Sequence, residues 1–72
     1  MVESEIADQL AEHVQKLRLE QKMTLEDLAE ASGVSRAMLS KIERKEKNPT
    51  VGVVAKIAKA LGVTVKELEA IE

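Results

Sequence analysis

None of the 72 residues is aromatic and none is cysteine. Without cysteine, neither a disulfide nor a thiolate metal site can support the fold. Without aromatic rings the core must be built from Leu, Ile, Val, Ala and Met. The bases of a single strand would also have nothing to stack on, which disfavours the usual mode of single-strand binding. No apolar run approaches the roughly 20 residues that a membrane span needs. One proline and three glycines leave few places for the chain to break. The single histidine, His13, has no companion ligands, so neither metal nor cofactor is expected. No Ser/His/Asp arrangement, phosphate loop or pair of catalytic carboxylates can be assembled, and enzyme activity is not expected. The opening MVESEIADQL is acidic and lacks the basic start of a signal peptide. A cytoplasmic protein without membrane association is the expectation.

A chain of this length makes one domain, taken as residues 1–72, and buries only about 60% of its unfolded surface. Compact helix packing or dimerisation must supply its stability. An apolar content of 44% and a charged content of 33% are those of a globular domain rather than a disordered one. The net charge of -2 conceals an asymmetry. Residues 1–34 carry three basic and eight acidic side chains, net -5. Residues 35–48 carry five basic and two acidic ones, net +3, and residues 49–72 carry three of each. Positive charge gathered in one short stretch is either an electrostatic footprint for a polyanion or a solvated helix face.

The periodicity is helical throughout. Helix 1 spans about 4–21, with Ile6, Leu10, Val14 and Leu17 forming an apolar stripe and Glu5, Asp8, Glu12 and Glu20 facing outward. Helix 2, about 25–31, starts from Thr24 with Asp27 as capping-box partner, and Gly33 follows it where a left-handed residue is wanted. Helix 3, about 36–45, opens at Ser35 and buries Leu39 and Ile42. Thr50 caps helix 4, about 51–61, after the loop Glu46-Lys47-Asn48-Pro49. Helix 5, about 65–71, opens with the box Thr64 and Glu67. The fold class is therefore all-α, a compact five-helix domain. Residues 24–45, two short helices joined at Ser32-Gly33-Val34, read as a helix-turn-helix. The second helix of this pair carries the basic and hydroxyl edge Ser35, Arg36, Ser40, Lys41 and Arg44.

Residues 14–68 resemble the lambdoid-repressor-like (Cro/C1, xenobiotic-response-element-type) helix-turn-helix regulators. The matching residues are Leu17-Arg18, Met23-Thr24, Leu28-Ala29, Gly33-Val34-Ser35, Leu39-Ser40-Lys41-Ile42-Glu43-Arg44, Asn48-Pro49-Thr50 and Ile57-Ala58-Lys59-Ala60-Leu61-Gly62-Val63. The resemblance implies that the start of helix 3 enters the major groove of double-stranded DNA. Base contacts are then expected from Ser35, Arg36, Ala37, Ser40 and Lys41, with Arg36 suited to guanine and Ala37 to a thymine methyl. Phosphate contacts are expected from Thr24, Arg44, Lys47, Asn48 and Thr50. Ala29 and Gly33 are read as small because two helices cross closely at the turn. Met38 admits two readings, packing against the core or meeting a thymine methyl at the groove wall, with packing slightly favoured. Arg18 and Glu43 are expected to form a partly buried structural ion pair. Two departures stand out. Leu25 occupies a position where phage-type relatives often carry glutamine, and Lys45 one where many relatives carry glycine.

One recognition helix covers too few base pairs for useful specificity, so a homodimeric regulator, in the role of repressor, reading an inverted-repeat operator is the expected function. Val63, Val65, Leu68 and Ile71 are the candidate dimer interface. Four other readings remain open: an antitoxin that binds a toxin protein, a bridging coactivator-like interaction module, an N-terminal fragment of a longer regulator with a ligand-sensing domain, and an activator. In the last, Glu26, Asp27 and Glu30 would meet RNA polymerase.

Overall fold

In a computed structural model, which describes the backbone of residues 3–69 and the side chains of residues 9–69, five helices follow one another. They are α1 (Glu3–Glu20), α2 (Leu25–Ser32), α3 (Arg36–Glu43), α4 (Val51–Leu61) and α5 (Val65–Glu69). No strand occurs among the described residues. No described helix is long and apolar enough to cross a membrane. Glu5, Ile6, Asp8 and Ile71, used in the sequence reading, lie outside the described side chains.

The capping residues set the helix starts. The Thr24 hydroxyl accepts from the Asp27 N–H at 3.0 Å while the Asp27 carboxylate accepts from the Thr24 N–H at 2.9 Å. Thr64 and Glu67 repeat this box at α5, with bonds of 2.9 and 3.0 Å. Ser35 accepts from the Met38 N–H at 3.1 Å and Thr50 from the Val53 N–H at 3.2 Å. Each cap satisfies a donor that the first helical turn would otherwise leave without a partner.

Left-handed residues end four helices. Gly33 (φ 79°) closes α2, with its N–H bonded to the Ala29 carbonyl at 2.8 Å. At α1, α3 and α4 the chain closes with paired 6→1 and 5→2 bonds, the Schellman pattern. These bonds run Met23 to Arg18 and Lys22 to Leu19, Glu46 to Lys41 and Lys45 to Ile42, and Val63 to Ala58 and Gly62 to Lys59. The left-handed position in these three turns is held by Lys22 (φ 58°), Lys45 (φ 65°) and Gly62 (φ 78°). Helix 3 is therefore shorter than the 36–45 expected from the sequence. Its last helical residue is Glu43, and Lys45 reverses the chain instead of extending the helix.

The core gathers Leu10, Val14, Leu28, Val34, Leu39, Ile42, Val54, Ile57, Ala58, Leu61 and Leu68. α2 lies between α3 and α4, and α1 packs on α3, α4 and α5. The stripe of α1 drifts from its expected line. Ala11 and Arg18 are buried and Leu17 is only half-buried. With 100° between residues, the positions three and four after Val14 fall on either side of the core direction. The one after four turns inward because it has an ionic partner there.

Candidate nucleic-acid interface

Helix α3 is amphipathic across its short length. Leu39 and Ile42 are fully buried, and Met38 packs against the core from a half-buried position, as the sequence suggested. Ser35, Arg36, Ala37, Lys41 and Arg44 are exposed and Ser40 is half-buried. Positions 36, 40 and 44, and again 37 and 41, are four apart, so these side chains share one face of the helix. Four of the five candidate base-contact residues, Arg36, Ala37, Ser40 and Lys41, thus lie along one side of the helix, and Ser35 stands just before it at the N-cap. Arg36 borders a shallow hollow shared with Arg18, Thr24, Leu25 and Glu26, where the start of α3 meets the start of α2.

An ion pair fixes the orientation of that edge. The Arg18 Nε donates to Glu43 Oε2 at 2.8 Å and Nη2 donates to Oε1 at 3.0 Å, while Nη1 donates to the Met23 carbonyl at 2.7 Å. The two side chains are only 10% and 5% exposed, so the bidentate pair is a buried tie between α1 and the end of α3. The hydrogen bond with Glu43 raises the guanidinium pKa, burial pulls it back and the Glu43 charge adds to the rise. Arg18 and Glu43 therefore hold α3 in place and do not face the solvent edge.

The candidate phosphate contacts differ in their surroundings. Thr24, Arg44, Lys47, Asn48 and Thr50 are all exposed. Thr24 shares its cap with the Asp27 carboxylate, and Glu26 adds a second acid to the first turn of α2. Anions are disfavoured there despite the helix N-terminus. The first turn of α4 carries no acidic residue, which leaves Thr50 the better-suited start. Of the five cations in 35–48, Arg36, Lys41 and Lys47 form no ion pair among the described residues. Arg44 contacts Glu46 at 3.4 Å and Lys45 contacts Glu12 at 3.0 Å.

Four details depart from the sequence reading or were missed by it. A Cβ at Gly33 would meet nothing within 4 Å, so close helix crossing does not explain this glycine; its left-handed φ does. Leu25 packs half-buried against the core, in the place where a polar brace would have stood. His13 donates from Nδ1 to the Leu68 carbonyl at 2.9 Å, tying α5 to α1. Gln21 donates to the Leu61 carbonyl at 2.8 Å, tying the turn after α1 to the end of α4. Both bonds join residues 40 or more positions apart, and no local pattern signals them.

The candidate dimer residues separate. Leu68 is fully buried within its own chain and has no surface to give to a partner, a correction to its expected role. Val63 and Val65 are half-buried, packed on the rim of the core. Ile71 lies outside the described residues. Val51, at the start of α4, is 84% exposed, the most open of the large apolar side chains among the described residues.

A profile of the helix-turn-helix family matches residues 14–68. The HTH-type transcriptional regulator SutR of Escherichia coli (strain K12) is 48% identical over 54 residues, which cover 75% of this chain and 30% of SutR. Control protein C.SmaI of Serratia marcescens is 39% identical over 64 residues, covering 89% of this chain and 76% of the control protein. The crystal structure of an HTH_3 family transcriptional regulator from Vibrio cholerae superposes with a TM-score of 0.88 at 33% identity, over 93% of this chain and 38% of that one. The chain thus spans about a third of the length of two of these three relatives.

Proposed function

The chain belongs to the helix-turn-helix family of Cro/C1-type DNA-binding regulators, and we propose that it is a sequence-specific repressor that binds an inverted-repeat operator as a homodimer, with α3 in the major groove. The observation that carries this reading is the edge of α3. Arg36 and Lys41 stand exposed and form no ion pair among the described residues, while the opposite face is held by Leu39, Ile42 and the Arg18–Glu43 tie. A rigid helix with uncommitted donors at one end suits base readout. In this arrangement Arg36 reads a guanine bidentately, worth about 1–3 kcal/mol against the wrong base, and Ser35, Ala37, Ser40 and Lys41 complete the base-facing set. Thr50, Asn48, Lys47 and Arg44 line the phosphate side, with Thr24 the weaker contributor beside Asp27. Residues 1–72 act as one DNA-binding domain, and Val63, Val65 and Ile71 form the dimer contact.

In vitro selection from a random duplex library tests this. The expected outcome is enrichment of an inverted repeat with half-site centres about one helical turn apart. Recovery of no sequence, with only salt-sensitive general binding, would refute it. The greater length of SutR and of the Vibrio cholerae protein favours a second reading, in which this domain serves a longer regulator. That reading predicts a 72-residue chain that sediments as a monomer without DNA; the first predicts a dimer. Exposed Glu26, Asp27 and Glu30 on α2 are the surface through which an activating form would meet RNA polymerase. Charge reversal at Glu26 and Glu30 should then abolish activation while sparing operator binding.

A further inference from the structure

Arg44 follows the last residue of α3, and its guanidinium is turned back on the chain. Nε donates to the Ser40 carbonyl at 3.4 Å and Nη2 lies 3.4 Å from the Glu46 carboxylate. The backbone brings that carboxylate into place. Left-handed Lys45 reverses the chain, and the Glu46 N–H closes the turn on the Lys41 carbonyl at 2.8 Å. The acid is thus delivered beside Arg44 by the turn that ends the helix. The same reversal sends Lys45 toward Glu12 of α1. The two ends of α3 therefore differ: the cations at its start and middle, Arg36 and Lys41, form no ion pair among the described residues, while Arg44 and Lys45, just past its end, each meet an acid.

We propose that Glu46 is an internal rival of DNA phosphate for Arg44, which lowers general duplex affinity by making each binding event exchange a carboxylate for a phosphate oxygen. The inference rests on the DNA-binding reading above. Both partners are more than half exposed, at 59% and 53%, so the pair is a weak one and exchanges readily. A rival of this strength costs about two- to fivefold in affinity at low salt, and less as salt screens the pair. Its effect falls on the sequence-independent part of binding, because phosphate contacts position a protein without reading bases.

The test is duplex binding by fluorescence anisotropy at several salt concentrations. It compares the wild-type chain, Glu46→Gln, Arg44→Gln, the double variant and Glu69→Gln, an equal charge change at an exposed position of α5. Thermal unfolding confirms that each variant folds. Glu46→Gln is expected to bind about two- to fivefold tighter at low salt, to lose that gain at high salt, and to gain little when Arg44 is already glutamine. A gain no larger than that of Glu69→Gln, or one undiminished in the Arg44→Gln background, would overturn the proposal while leaving DNA binding intact. A wild-type chain that binds no duplex at any salt would refute the DNA-binding reading, and the rival role with it.

Discussion

Two turns flank α3, and they are built from different materials. The turn before it, Gly33-Val34-Ser35, is a backbone device. A left-handed glycine ends α2, buried Val34 pins the turn to the core, and the Ser35 hydroxyl starts the next helix. The turn after it is a charge device. Glu43 reaches to Arg18, Arg44 to Glu46 and Lys45 to Glu12, with a lysine in the left-handed position where glycine is less strained. The first turn sets the angle at which α3 leaves α2. The second fixes where its far end lies and how much positive charge it shows to a ligand.

The largest expected effect comes from the buried part of the second turn. Arg18→Ala or Glu43→Ala leaves one charge buried without its partner and should cost about 3–5 kcal/mol by denaturant unfolding. A chain of this size has only about 4–11 kcal/mol in total, so either variant approaches the unfolding limit. Replacing both residues with apolar ones of similar volume should recover most of the loss. Titration does not break this tie in the neutral range. The folded-state pKa of Arg18 is raised, so its contribution is complete below the unfolded value and fades only as pH climbs through the higher folded one. Stability that collapsed between about pH 6 and 9 would contradict this, since arginine titrates only in strong base.

Next in size is the first turn. Gly33→Ala forces a Cβ into the left-handed region and should cost about 1–2 kcal/mol although the space around it is open. Ser35→Ala removes the cap of α3 and should cost about 1 kcal/mol. If Gly33→Ala proved harmless, the backbone account of that turn would fail.

The smallest effects sharpen the contrast between the two left-handed lysines. Lys22→Gly relieves about 1–2 kcal/mol of left-handed strain but loosens the unfolded chain by about 0.4–1 kcal/mol, so a small net stabilisation, up to about 1 kcal/mol, is expected in thermal unfolding. Lys45→Gly relieves the same strain but gives up the exposed contact with Glu12, worth about 0–1 kcal/mol, so its gain should be smaller. Equal gains would mean that the Glu12 contact contributes nothing.

The sequence discloses the parts of this molecule that depend on local chemistry. Thr24, Ser35, Thr50 and Thr64 cap where short polar residues precede apolar periodicity, and α4 runs over the residues that Pro49 and Gly62 bracket. The Arg18–Glu43 pair was legible only through resemblance to a family, because no spacing rule links positions 25 apart. The end of α3 was misjudged because Lys45 does not look like a helix terminator; the reversal is stabilised by the 6→1 and 5→2 bonds and by side chains brought from α1. The same holds for Leu68, whose apolar character suits an interface and a core equally well. Only the packing of α5 on α1 and α4, with His13 on its carbonyl, settles which.

The most direct test of the division of labour along α3 is a duplex-binding comparison of Arg36→Ala and Arg44→Ala, each measured against the selected operator and against operators changed one base pair at a time. Arg36→Ala should lose about 1–3 kcal/mol on the selected operator and become indifferent at one guanine position. Arg44→Ala should weaken binding to every duplex alike and lower the salt slope by about one. If Arg36→Ala instead weakened all duplexes equally, with its base preferences unchanged, the start of α3 would not be reading bases and the central claim would fall.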